Sequence, residues 1–179
     1  MALTADAIIS LEEARGFLEL ETTAKDLILE ALINGTTQAF NIYTGRALKE
    51  TTHTAELLEY DGSGLFYLPN YPVKEISELK LNDQALTEDE DFMLNAQPGI
   101  LRLPRAAGLL EITYTAGYEE LPADLKLAAL KQVSYEYQQT IQKAWGVQSR
   151  SQAGSATTYS EKGLLPQVKE ILDRYRRMI

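Results

Sequence analysis

The sequence predicts an α+β protein: a small helical bundle, two long helices plus short N-terminal and C-terminal helices, with an inserted antiparallel β-meander or sandwich. Three observations predict it. Apolar residues recur at helical spacing up to about residue 46 and again from residue 120, they alternate with polar residues between Thr51 and Tyr118, and turn residues punctuate the alternating part every few positions. With 179 residues, 45% of them hydrophobic, the chain can bury one ordinary core with a small satellite. The expected organisation is a body over 1–145, with a helical core from 8–46 and 120–145 and a β insert at 51–118. A flexible arm and terminal amphipathic helix follow over 146–179.

Each element has its own signal. Ser10-Leu11-Glu12-Glu13 has the form of a capping box and opens a short helix with Leu11, Ala14 and Leu18 on one face. Thr23-Ala24-Lys25-Asp26 repeats the signal with aspartate in the glutamate position, and Leu27, Ile28, Ala31, Leu32, Gly35, Ala39 and Ile42 then mark the first long helix. Gly45 can take the left-handed conformation that closes it. Strands are expected at 55–60, 65–68, 73–81, 91–95, 100–103 and 109–115, separated by turns at Asp61-Gly62-Ser63-Gly64, Asn82-Asp83 and Gln97-Pro98-Gly99. Pro122 suits the first position of a second long helix that runs to about Trp145, its stripe made of Leu127, Leu130, Tyr137, Ile141 and Ala144 and widened by Ala128, Ala129 and Val133.

Residues 146–163 are rich in Ser, Thr, Gln, Ala and Gly, too poor in large apolar side chains to hold a fixed fold. Pro166 then opens a last helix whose face is Val168, Ile171, Leu172, Tyr175 and Met178, which needs a surface to dock on.

Composition excludes several classes. The absence of cysteine removes disulfides, thiolate metal sites and a cysteine nucleophile. No apolar stretch approaches the roughly 20 residues that span a bilayer, and Met1 to Ser10 lacks a basic leader with an apolar run, so a cytoplasmic protein without membrane contact is expected. The net charge of −9 is uneven: residues 145–179 hold six bases against three acids, and the rest hold 11 against 23. An acidic body of this kind is a poor general nucleic-acid binder, because duplex affinity comes from lysine and arginine at phosphates.

Chemistry-bearing motifs are weak. Thr87-Glu88-Asp89-Glu90-Asp91 lacks the alternating ligands and central glycine of a calcium loop and reads as a solvated turn. Asp61-Gly62-Ser63-Gly64 lacks the lysine and following helix of a phosphate loop. His53, the only histidine, has no neighbouring nucleophile and reads as a polar surface residue. No catalytic, cofactor-binding or metal residue is assigned, and no cofactor is expected.

Four pieces together resemble one known family: Leu11-Glu12-Glu13-Ala14, Tyr43-Thr44-Gly45-Arg46, Tyr60-Asp61-Gly62-Ser63-Gly64 leading to Leu68-Pro69-Asn70-Tyr71-Pro72-Val73, and Thr113-Tyr114-Thr115-Ala116-Gly117-Tyr118 before Leu121-Pro122. In order and spacing they are similar to the head-to-tail connector (adaptor) subunits of tailed bacteriophages and prophages, over about residues 8–145. Leu164-Leu165-Pro166 and the terminal Tyr175-Arg176-Arg177 also look like longer members. The resemblance implies a structural protein and not an enzyme, located in the virion neck and in the host cytoplasm during assembly. It implies a ring of about twelve copies with a heterologous interface, bound to the portal protein, receiving a head-closure or tail-completion protein and passing double-stranded DNA without sequence-specific binding. Part of the acidity is expected to line the bore, where carboxylates let DNA slide; solvated outer faces are the alternative.

Candidate subunit or portal contacts are Tyr43, Tyr71 and Tyr118 at element boundaries, Arg46 in the Tyr-Thr-Gly-Arg motif and Trp145 closing the second helix. Ile171, Leu172, Tyr175, Arg176 and Arg177 complete the set on the terminal helix. A small β-rich ligand-binding module and an enzyme with an unrecognised site remain the alternatives.

Overall fold

The computed structural model describes residues 2–141, 149–152, 155–158 and 163–177. The chain forms two compact units, each assembled from segments distant in sequence: residues 1–43 with 122–175, and residues 44–121 with 176–179.

The first unit is helical. α1 (Leu11–Phe17) starts at the expected capping box, in which the Ser10 amide donates to Glu13 Oε2 at 2.7 Å and the Glu13 amide donates to Ser10 Oγ at 3.1 Å. The second start signal works differently from its reading. A short 3₁₀ turn (Thr23–Lys25) precedes α2 (Asp26–Thr44), and Asp26 accepts from the Arg15 guanidinium at 2.9 Å, so its carboxylate ties α2 to the end of α1. α3 (Ala123–Ile141) begins just after Pro122, whose carbonyl accepts from the Lys126 amide.

α2 buries a different face from the expected one, whereas α3 buries Tyr137, Ala128, Ala129 and Val133 of its expected surface and leaves Leu127 and Ile141 of the stripe outside. On α2 the buried residues include Leu29, Ile33, Thr36, Thr37 and Phe40, while Leu27 and Ile42 are exposed; on α3 they are Leu125, Ala128, Ala129, Gln132, Val133 and Tyr137, while Leu127 and Ile141 are exposed. Hydrogen bonding accounts for two of the polar ones. Thr37 Oγ1 accepts from the Ile8 amide, and Gln132 meets the chain that leads into α4, so polar side chains stand inside where a count of apolar residues misses them.

α4 (Pro166–Leu172), which Pro166 opens as expected, packs on α3 with Val168 and Leu172 fully buried. Gln132 fastens it: Nε2 donates to Glu136 Oε1 at 2.8 Å and to the Gly163 carbonyl at 3.3 Å, and Oε1 accepts from the Leu165 amide at 3.0 Å. The end of the second long helix with Ala144 and Trp145, much of the arm, and Met178 lie outside the described residues. Within the arm, β8 (Ser149–Gln152) and β9 (Ser155–Thr158) pair as an antiparallel hairpin.

The second unit holds the inserted strands: β1 (Thr51–Tyr60), β2 (Leu65–Tyr67), β3 (Val73–Leu81), β4 (Gln84–Ala85), β5 (Met93–Asn95), β6 (Ile100–Arg102) and β7 (Gly108–Ala116). They form a four-stranded sheet in the order β1-β7-β3-β4 and a three-stranded sheet β2-β6-β5, all pairs antiparallel. The expected α+β class is observed. β7 is central, and its alternation puts Leu110, Ile112, Tyr114 and Ala116 into a core shared with Leu79, Leu101 and their neighbours from both sheets. β1 starts already at Thr51, because a bulge between His53 and Glu56, with Ala55 at φ 49°, breaks the alternation that marks a strand in sequence.

Gln132→Leu keeps the helix and the volume but leaves the Leu165 amide without its acceptor. We expect a loss of about 1 to 3 kcal/mol of unfolding free energy, measured by urea denaturation.

Candidate subunit and portal interface

Three of the motif segments converge in the second unit. Gly45, at φ 72°, turns the chain out of α2 and delivers Arg46 to the interior, where it is 5% exposed. Its guanidinium carbon lies 3.9 Å above the centre of the Tyr71 ring and 5.5 Å from that of Tyr118. Nη1 donates to the Tyr71 carbonyl and Nη2 to the Tyr118 hydroxyl at 3.5 Å. A cation removed from water between two aromatic faces, with its planar donors engaged, fixes both rings at once.

The C-terminal residues close the same cluster. The Tyr71 hydroxyl donates to the Arg176 carbonyl at 3.0 Å, and the Arg177 amide donates to the Thr44 carbonyl at 2.8 Å. Both arginine side chains are exposed there. Tyr118 is held through its backbone: its amide donates to the Leu48 carbonyl and its own carbonyl accepts from the Glu50 amide. Gly117, at φ 108°, is needed beside it, since a Cβ would lie 2.5 Å from the Lys49 carbonyl oxygen.

Beneath lies a polar network that sequence reading missed. Buried Asn70 accepts from the Ala47 amide at 2.8 Å and donates to the Tyr114 hydroxyl at 3.2 Å, which donates in turn to Glu56 Oε2 at 3.1 Å. His53 is half-buried and not a solvated surface residue: its ring stacks on Tyr114 with centroids 5.0 Å apart, and Nδ1 lies 3.2 Å from Glu56 Oε1. Burial pushes the Tyr114 phenol up to about 12, and the nearby Glu56 carboxylate adds to the rise. Asn70 sits inside the Leu-Pro-Asn-Tyr-Pro motif, which was the available signal.

Of the remaining candidates, Tyr43, Ile171, Leu172 and Tyr175 lie in the first unit. The Tyr43 hydroxyl donates to Asp173 at 2.8 Å and the half-buried Tyr175 hydroxyl donates to Asp124 at 2.7 Å, so each pins the terminal segment to a long helix. Leu172 is buried and Ile171 half-buried. The two loops read as bland turns carry local hydrogen bonds of that kind: Asp61 Oδ1 accepts from the Ser63 amide, which holds its carboxyl below the usual range, and Asp91 accepts from the Thr87 amide. Among the described residues no group of three His, Cys, Asp or Glu side chains is placed to hold a metal ion, and no helix is long and apolar enough to cross a membrane.

Arg46→Lys keeps the charge but loses the planar fork and the stacking, and is expected to cost about 1 to 2 kcal/mol in urea denaturation. Tyr114 carries a pH dependence. An unfolded tyrosine ionises near pH 10.0, so the stability gained by keeping this phenol neutral is complete below that pH and is lost as pH rises through about 12. The loss is about 2 to 3 kcal/mol, and Tyr114→Phe should remove this alkaline step from stability measured across the range.

Comparison with known proteins adds the following. Residues 7–178 match the head completion protein family. The chain is 22% identical over 116 residues to the head completion protein of Escherichia phage T5, a match that covers 63% of this chain and 65%, just under two thirds, of that relative's length. Solved folds similar to this one come from a neck of an empty gene transfer agent particle computed with C6 symmetry (TM-score 0.64, 20% identity) and a neck of the native particle computed with C12 symmetry (TM-score 0.63, 16% identity). Each match covers 100% of this chain and 94% of that chain.

Proposed function

The chain belongs to the head completion protein family, and from that premise we propose that it is a structural head-to-tail connector subunit of a tailed phage or prophage particle. The observation that carries the reading is the extent of the family match, which takes in both compact units and the terminal helix. The similarity of fold to chains of particle necks supports it.

In this reading, copies of the chain form a ring of about twelve beneath the portal, extend the DNA channel and receive the next neck or tail protein. A closed ring of identical chains uses two different surfaces of each copy, so every copy is satisfied only beside its neighbours. The Arg46 cluster sets the position of the loops around Tyr71 and Tyr118 and of the C-terminal end, and these present the contacts. Leu172 anchors the terminal helix, while Ile171, Tyr175, Arg176 and Arg177 face the portal. The acidic body suits a conduit, since carboxylates along a bore repel phosphates and let duplex slide.

Electron microscopy of particle necks made with and without the chain tests this. We expect a ring of copies between portal and tail, and heads that lack tails when the chain is missing; tailed, DNA-filled particles formed in its absence refute the role.

A further inference from the structure

The side of α2 that faces away from the core of its unit has no cover. Leu27, Ala31, Gly35, Gln38 and Ile42 form one stripe along it, and Leu27 and Ile42 are the most exposed large apolar side chains among the described residues, at 69% and 73%. Next to the stripe an open groove of about 670 Å³ runs between α2 and the N-terminal segment, with Thr4 and Asp6 on its far rim. A Cβ added at Gly35 would meet nothing within 4 Å, so the middle of the stripe is open to close approach. From Ala31 to Gly45 the chain carries no charged residue, the longest such run in it.

These features select the occupant. DNA needs bases on the binding face, and this one has none. A partner chosen by charge needs complementary charge, and the stripe itself offers none, Asp6 and Glu30 standing only at its margins. A chain of net charge −9 repels its own copies, so a close contact between two of them is favoured where carboxylates are absent. We propose that the outer face of α2 is one half of the heterologous contact with a second copy of this chain. This rests on the ring reading above and names the surface that the ring uses. Ala31 and Gly35 let a neighbour's backbone come close, and Leu27 and Ile42 supply the apolar ends of the contact.

A photo-reactive benzoylphenylalanine placed at Ile42, and separately at Gln38, reports the occupant directly in assembled particles. The expected product is a crosslink to a second copy, identified by mass spectrometry. Crosslinks only to another protein, or none in necks that contain the ring, overturn the α2 assignment and leave the ring intact. Necks without a ring of this chain overturn both. In parallel, Leu27→Asp and Ile42→Asp should retain the melting temperature of the parent, because neither side chain is in the core, yet lower ring assembly by an order of magnitude or more, since the contact would bury an unpaired carboxylate. Unchanged assembly with either variant counts against the proposal.

Discussion

The backbone pairing of Leu48 and Glu50 with Tyr118 is the constraint on which the architecture of the sheet unit depends. It brings the two ends of the inserted sheet unit side by side. The bridge of Lys49 to Tyr118 is parallel, and the antiparallel ladder of β1 with β7 starts just beyond it, at Thr51 opposite Ala116. An insertion whose ends are fixed this way adds only slowly growing loop entropy to the helical unit that hosts it. Two cores can therefore be built from one chain, each with its own packing. Gly117 is part of the same constraint, because its positive φ and the nearby Lys49 carbonyl leave no room for a side chain.

In each unit the most informative side chains are polar ones without water. Arg46 between two tyrosines, Asn70 between the Ala47 amide and the Tyr114 hydroxyl, and Gln132 across α3 and the approach to α4 each satisfy several partners from separate segments. Such groups are costly if any partner is lost, so they specify one arrangement more sharply than apolar packing does. The terminal segment is held by the same means, through Asp173, Asp124, the Thr44 carbonyl and the Tyr71 hydroxyl.

The two faces of α2 differ in what covers them. Its inward side carries Leu29, Ile33 and Phe40 together with three buried threonines; its outward side carries Leu27, Ala31 and Ile42 with no charge beyond Glu30. A helix apolar on both sides is covered on both when its surroundings are complete. The periodicity of the outward stripe was the stronger signal in sequence, and it marked the face left open within the chain.

By itself the sequence determined the class of the fold, the boundaries of most elements, the family to which the motifs are similar and the absence of thiol chemistry. These depend on local periods, turn residues and composition, which act over a few neighbouring positions. Tertiary structure alone decided which face of α2 lies inside, that Asp26 serves Arg15, that the strand after α2 bulges at His53, and that Arg46, Tyr71, Tyr118 and the C-terminal end form one cluster. Each of those outcomes turns on a hydrogen bond or ring contact between residues far apart in the chain, and the energy of such a contact exists only once the fold has brought the two groups together.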